Sequence, residues 1–294
     1  MPLVGAGGEP VDLRRTLYSH GVADLPPARI TPDARVLEVT LAAGRGARTV
    51  RVSEAKRGRA RVEILGRPLG ERGQAALLAQ VRHMLRLDED LSEFYALAAA
   101  EPALAWVAAG AGRMLRSPTV FEDVVKTVCT TNCAWSGTVR MVTAIVEGLG
   151  PTSPTGGHAF PTAAAMAAAG EDFYRDIARA GYRGGYLRTL ADDVASGRLD
   201  LEELNDPELA DAEVEERLLA LPGVGPYAAA HVMLTSLGRY SRLVLDSWTR
   251  PTYAKLRGRK ASDKTIARHF RRYGRFAGLA FWLTLTKSWV EEAG

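Results

Sequence analysis

The stretch Leu221-Pro-Gly-Val-Gly-Pro-Tyr-Ala-Ala-Ala-His-Val-Met-Leu234, with Leu243-Val-Leu-Asp246-Ser-Trp-Thr-Arg250 behind it, decides how this chain is read. A helical pattern from about Ala212 ends in a tight glycine hairpin, and a second helix starts at once at Pro226. Proline suits the first position of a helix. Gly223 and Gly225 lack a Cβ and tolerate φ > 0, so the backbone around Val224 can come close to another chain. The hairpin amides and the N-terminus of the following helix can then point at a phosphate, a grip on nucleic acid that ignores sequence. The plainer alternative is a packing corner between two helices. Asp246 follows an apolar run and precedes a helix start. It is either a simple N-cap or a functional carboxylate that helix amides keep ionised.

Working outward, the basic residues concentrate near this stretch. Arg239, Arg242, Arg250, Lys255, Arg257, Arg259, Lys260, Lys264, Arg268, Arg271, Arg272 and Arg275 face only Asp246 and Asp263 as acids between residues 239 and 275. That region reads as a phosphate-facing surface or as a solvated basic face. The two cysteines, Cys129 and Cys133, exclude a disulfide framework and are too few for a four-cysteine iron–sulfur or zinc site. No signal peptide is legible, and the apolar runs are short of the ~20 residues of a membrane span. A cytoplasmic, nucleoid-associated protein without a membrane segment is expected.

The 294 residues suffice for two domains. Residues 1 to about 30 are rich in Gly and Pro and read as irregular. Leu37, Val39 and Leu41, then Val50 and Val52, then Val62 and Ile64 alternate with period two. Turns at Gly44-Arg-Gly46 and Arg57-Gly58 separate these runs, which predict a small antiparallel sheet ending near residue 70. Helices are predicted over Ala75–Leu85, from Asp88, from Pro118 as an N1 proline, over Ser136–Leu149, and from about Thr162, Glu171, Gly185, Ala212, Pro226, Ser247, Asp263 and Phe276. Pro151–Gly157 reads as a loop. The fold class is α+β, mainly α: an N-terminal antiparallel β domain, residues 1–72, and a helical domain, residues 73–294, that carries the hairpin at 212–236.

The hairpin and Asp246 together resemble the helix-hairpin-helix DNA glycosylase superfamily. Further landmarks extend the likeness: Leu87-Asp-Glu-Asp-Leu91 with Phe94-Tyr95, Arg116-Ser-Pro-Thr119, Val128-Cys-Thr-Thr-Asn132, Phe160-Pro161, Gly181-Tyr-Arg183 and Tyr273-Gly-Arg-Phe-Ala-Gly278. They resemble the 8-oxoguanine and 3-methyladenine glycosylase branch, which also has an N-terminal β domain. The resemblance implies double-stranded DNA with a damaged base as partner and a monomeric enzyme. It implies Asp246 as the catalytic carboxylate, which would stabilise the oxocarbenium-like sugar as the N-glycosidic bond breaks after the base is flipped out. It further implies that Asn132 enters the gap left in the duplex, that Gly223, Val224, Gly225 and Arg250 contact DNA, and that the carbonyls of Leu219, Leu221 and Val224 hold K⁺ or Na⁺. No other cofactor, and no iron–sulfur cluster, is expected. Asn132 reads equally well as a helix cap.

Departures from the family shape the mechanism. Bifunctional members place a lysine nineteen residues before the aspartate, and here Tyr227 stands there. A phenol cannot form the Schiff base that cuts the strand, so a monofunctional enzyme is expected, with Tyr227 and His231 beside the base. The glutamine that reads 8-oxoguanine is replaced by Phe281, next to Trp282. Aromatic rings suit an electron-poor alkylated purine, and the bland reading makes Phe281, Trp282 and Trp289 core residues. Deaminated, mismatched or oxidised bases are the alternative substrates. Another reading makes the chain a non-catalytic damaged-DNA-binding protein, and a third gives it lyase activity through Lys255 or the N-terminal amine.

Overall fold

The computed structural model of the protein describes residues 1–44, 46–56 and 58–292. Arg45 and Arg57, at two of the expected turns, lie outside the described residues. Strands β1 (Ala28–Ile30), β2 (Val36–Ala43), β3 (Gly46–Lys56) and β4 (Arg59–Ile64) form one antiparallel sheet in sequence order. Val39 pairs with Val50 and Leu37 with Val52, so the alternating apolar residues share one face. The sheet ends at Ile64, short of residue 70.

The N-terminal segment is more ordered than its composition suggests. Leu13–Leu17 is a helix, α1, capped by Asp12, whose side chain accepts from the Arg15 amide. Leu13, Thr16 and Leu17 are buried. The Gly/Pro-rich flanks hid this one-turn pattern. Helix α2 (Glu71–Met84) lays Leu77, Val81 and Met84 on the same apolar cluster as Leu37, Val39 and Val52.

Helices α3 (Ser92–Ala99), α4 (Val120–Thr130), α5 (Trp135–Leu149), α6 (Ala163–Ala168) and α7 (Arg183–Ala195) follow. The helix expected from Glu171 contains a π-helical turn, Phe173–Ile177. Pro118 is not at N1 of α4. Thr119 caps that helix by accepting from the Glu122 amide, so Pro118 lies just before the cap.

The hairpin consists of α8 (Asp211–Leu219) and α9 (Pro226–Thr235), and α10 (Thr249–Arg257), α11 (Asp263–Phe270), α12 (Ala277–Thr286) and α13 (Trp289–Glu292) complete the chain. Helix α9 is buried from Ala228 to Thr235 without a polar face. The reason is its place between two apolar clusters. Ala228, Ala229, Val232 and Met233 pack with α4, α5, α7 and α8, while Ala230 and Leu234 pack with α3 and α10 to α12. A helix that is apolar all round must be buried all round. Its N-terminus surfaces where the two clusters meet.

Candidate active-site cleft

At that junction a cleft of about 570 Å³ is lined by Thr130, Asn132, Tyr186, Gly223, Tyr227 and Asp246, among others. Each wall has a local cause. Gly223 adopts φ +78°, and a Cβ there would stand 2.8 Å from the Tyr186 ring, so the turn admits no side chain. Gly225 differs from the sequence reading. Its φ is −101°, and a Cβ would meet open space, which leaves room for something outside the protein to approach.

Asp246 is held before α10. Its Oδ1 accepts from the amides of Trp248 (2.9 Å) and Thr249 (2.6 Å). Its own amide donates to Thr249 Oγ1 at 2.8 Å, and Thr249 is fully buried. The carboxylate is therefore a helix cap and also a cleft residue. One oxygen carries both backbone bonds, which orient the group. Asp246 is the one acid among the residues that line this cleft.

Tyr227 lies across the cleft. Its hydroxyl is 3.3 Å from Thr130 Oγ1, and burial with the nearby Asp246 charge raises its pKa, so the side chain stays a neutral phenol. Asn132 adopts φ +45° between α4 and α5, exposed in the cleft. It does not cap a helix. Thr131 and Ala134 occupy the cap positions, and the Arg183 guanidinium holds the bend by donating to the carbonyls of Thr131 and Asn132, each at 3.0 Å. Arg250 reaches the cleft, but its guanidinium is paired bidentately with Asp263 at 2.8 and 2.9 Å.

Other expected site residues stand behind the cleft. His231 is buried one turn along α9 from Tyr227, ring centroids 5.8 Å apart, and burial with the neighbouring His20 pushes its pKa down to about 3. Trp282 is buried, donates from its indole to Ser19 O at 2.8 Å, and packs 5.6 Å from Trp248. Phe281 is not brought to the cleft. It is fully buried against Phe270 and Tyr253. Neighbours on a helix point about 100° apart, so only one of Phe281 and Trp282 can face Trp248. The Val224 side chain is buried, while the Leu219 side chain is exposed. The carbonyl of Leu221 accepts from the Val224 amide at 3.2 Å. Lys255 is exposed on α10, and the N-terminal amine donates to Ala60 O at 2.8 Å, so neither lines the cleft. Cys129 is buried, which pushes its thiol up to about 12, and Cys133 is half-buried on the cleft wall.

The sequence reading missed Trp248, Tyr182 and Tyr186. The two tyrosines are an exposed i,i+4 pair with ring centroids 5.9 Å apart. Their helical spacing beside Arg183 was the available signal. Lys255, Arg257, Arg259, Lys260, Lys264, Arg268 and Arg271 are exposed and have no carboxylate in ion-pair range among the described residues, whereas Arg239, Arg242, Arg250, Arg272 and Arg275 are paired. The free cations lie on α10, α11 and the segments that flank α11. Among the described residues no helix is long and apolar enough to cross a membrane.

No family model and no curated protein matches the sequence. Solved structures do match the fold. A 3-methyladenine DNA glycosylase from Archaeoglobus fulgidus is 22% identical with a TM-score of 0.75, over 98% of each chain. An 8-oxoguanine glycosylase/lyase from Clostridium acetobutylicum, bound to double-stranded DNA with cytosine opposite 8-oxoG, is 23% identical with a TM-score of 0.73, over 96% of this chain and 93% of that one. Its apo form is 24% identical with a TM-score of 0.72, over 95% and 94%. The sheet, the hairpin and the helices on either side of it together have the same fold as these DNA glycosylases.

Proposed function

We propose that the protein is a monofunctional DNA glycosylase of base-excision repair that removes an alkylated purine. The observation that carries this reading is the pairing of an amide-anchored carboxylate, Asp246, with a phenol, Tyr227, where strand cleavage would need an amine. The fold is shared with glycosylases for methylated and oxidised purines.

In this reading the exposed cations of α10 and α11 hold the duplex, the hairpin amides take a phosphate, and Asn132 fills the space of the flipped nucleotide. As the N-glycosidic bond breaks, its electron pair leaves with the base and positive charge develops on the sugar. Asp246 faces that charge and stabilises it. Water adds to C1′ and gives its proton to the carboxylate or to solvent. The cleft offers a single acid, so no second carboxyl stands ready to protonate a neutral leaving base. A purine alkylated on a ring nitrogen is already cationic and leaves neutral, which needs no such acid.

The carbonyls of Leu219 and Val224 receive no backbone hydrogen bond among the described residues, so their lone pairs suit K⁺ or Na⁺ at the hairpin. That ion would brace the turn that presents the Gly225 amide. No further cofactor is invoked, and the protein would act as a monomer on DNA in the cytoplasm.

The test is a panel of duplexes carrying 7-methylguanine, 3-methyladenine, hypoxanthine, uracil or 8-oxoguanine, treated with alkali after incubation. Release of methylated purines that disappears in Asp246→Asn is expected. Release confined to deaminated or oxidised bases would overturn the substrate, and tight binding with no release from any duplex would make the protein a damage-binding protein.

A further inference from the structure

The hydrogen bonds around Tyr227 give its phenol a direction. Thr130 ends α4 and Tyr227 lies in the first turn of α9, and the packing of these helices brings the two hydroxyls to 3.3 Å. A hydroxyl has one proton to donate and lone pairs with which to accept. Thr130 uses its proton within α4, donating to Thr127 O at 2.6 Å. The neighbouring Thr131 does the same with Val128 O at 2.8 Å. Thr130 can therefore only accept from Tyr227, and the phenol proton is committed to it. Thr130 is the one hydrogen-bond partner of that phenol among the described residues. The lone pairs of Tyr227 Oη are left for the cleft.

Asp246 offers a matching acceptor. Its Oδ1 takes the amides of Trp248 and Thr249, while Oδ2 receives no hydrogen bond among the described residues. Both side chains line the same cleft. The one cation among the lining residues, Arg250, is already paired with Asp263. Two acceptors on facing walls suit a molecule that brings two protons, and water is the smallest.

We infer that Asp246 Oδ2 and Tyr227 Oη together seat the attacking water, each accepting one of its protons, and that Thr130 is the positioning residue that keeps the phenol turned this way. The inference rests on the glycosylase reading, which supplies the sugar; the direction of the phenol rests on Thr127, Thr130 and Tyr227. With both protons held, a lone pair of the water oxygen is free to face C1′. As the bond from C1′ to the base nitrogen breaks, its electron pair leaves with the base. The water oxygen bonds to C1′, and one proton passes to Asp246 Oδ2 and on to solvent. Tyr227 orients the water without taking a proton, because a neutral phenol is a far weaker base than a carboxylate.

The experiment follows base release in water–methanol mixtures from a duplex carrying 7-methylguanine, or the base of the panel that is released fastest. The sugar is scored as the free abasic product or its methyl glycoside. Methanol has one O–H proton and satisfies only one of the two acceptors. The wild-type preference for water over methanol should fall roughly tenfold in Tyr227→Phe, as for loss of one hydrogen bond. It should fall about threefold in Thr130→Val, which frees the phenol to turn. In both variants kcat falls and KM stays within about twofold, and thermal melts check the fold. Thr130→Ser keeps a hydroxyl and should restore the preference. Adding Thr130→Val to Tyr227→Phe should change nothing further, because Thr130 acts only through the phenol. An unchanged preference in Tyr227→Phe overturns the water site while the glycosylase reading stands. Additive effects in the double variant, or no rescue by Thr130→Ser, overturn the role of Thr130. No release from any duplex by the wild type would overturn the glycosylase reading, and the water site with it.

Discussion

At Asp246 a single carboxylate does two jobs, and its backbone bonds explain both. Oδ1 accepts from two amides, which fixes the group and caps α10, and the rest of the carboxylate faces the cleft. Asp246→Asn preserves the amide-accepting oxygen and removes the charge. Base release should fall at least a hundredfold, as for loss of one preorganised electrostatic group, with duplex affinity within about twofold by gel shift. Tyr227 sets the other limit. Its phenol is neutral and lies opposite Asp246, so borohydride added during turnover should trap no covalent protein–DNA adduct on a denaturing gel. A trapped adduct would show that an amine elsewhere attacks the sugar. That Tyr227 and Asp246 line one cleft was legible from the hairpin and the run behind it. The place of Phe281 was not, because sequence alone does not say which side of α12 faces α10 and α11 and which faces Trp248.

The hairpin is the element whose two glycines behave differently, and stability and binding should separate them. Gly223 has φ +78° and Tyr186 within 2.8 Å of a built Cβ. Gly223→Ala should cost about 1–3 kcal/mol, seen as a lower Tm. Gly225 has an ordinary φ and open space around it. Gly225→Ala should leave Tm nearly unchanged and weaken duplex binding, because the added methyl stands where a phosphate would approach. Equal effects in both assays would remove the distinction. The same scale shows where local pattern is weakest. The short α1 and the start of α4 were misread because a one-turn helix has too few residues for periodicity, and because Thr119 competes with Pro118 for the helix boundary. The long, strongly patterned α2 and α5 were legible to within a few residues.

Over the whole molecule, seven exposed cations on and around α10 and α11 lack acidic partners among the described residues. Duplex affinity should fall steeply with salt, and Lys264→Ala or Arg268→Ala should each flatten the slope of log K against log salt by about 1. An unchanged slope in both variants would place the DNA elsewhere. Three histidines give the fold a pH dependence. Burial, with neighbouring positive charge, holds His20 and His83 at about 4 and His231 at about 3. Their folded values lie below the unfolded one, so the unfolded chain binds more protons between about pH 4 and 6.5. Stability is complete above that window and is lost as pH falls through it, by up to about 1.4 kcal/mol per unit for each histidine. Thermal melts from pH 8 to 4 should show a plateau and then a decline, and His231→Gln should make the decline shallower.

The glycine hairpin, the aspartate behind it, the tyrosine at 227 and the basic stretch were determined by the sequence itself, because glycine freedom, cap spacing and charge are local properties. What only the tertiary structure decided is which side chains share a space. Asn132 and Asp246 line one cleft and are separated by more than a hundred residues. Burial of α9 between two apolar clusters opens the cleft at its N-terminus, and folding of the N-terminal segment against α12, through Ser19 and Trp282, seats Trp282 against Trp248 behind it. No local pattern encodes such a meeting, since it depends on how long-range packing satisfies every apolar face at once.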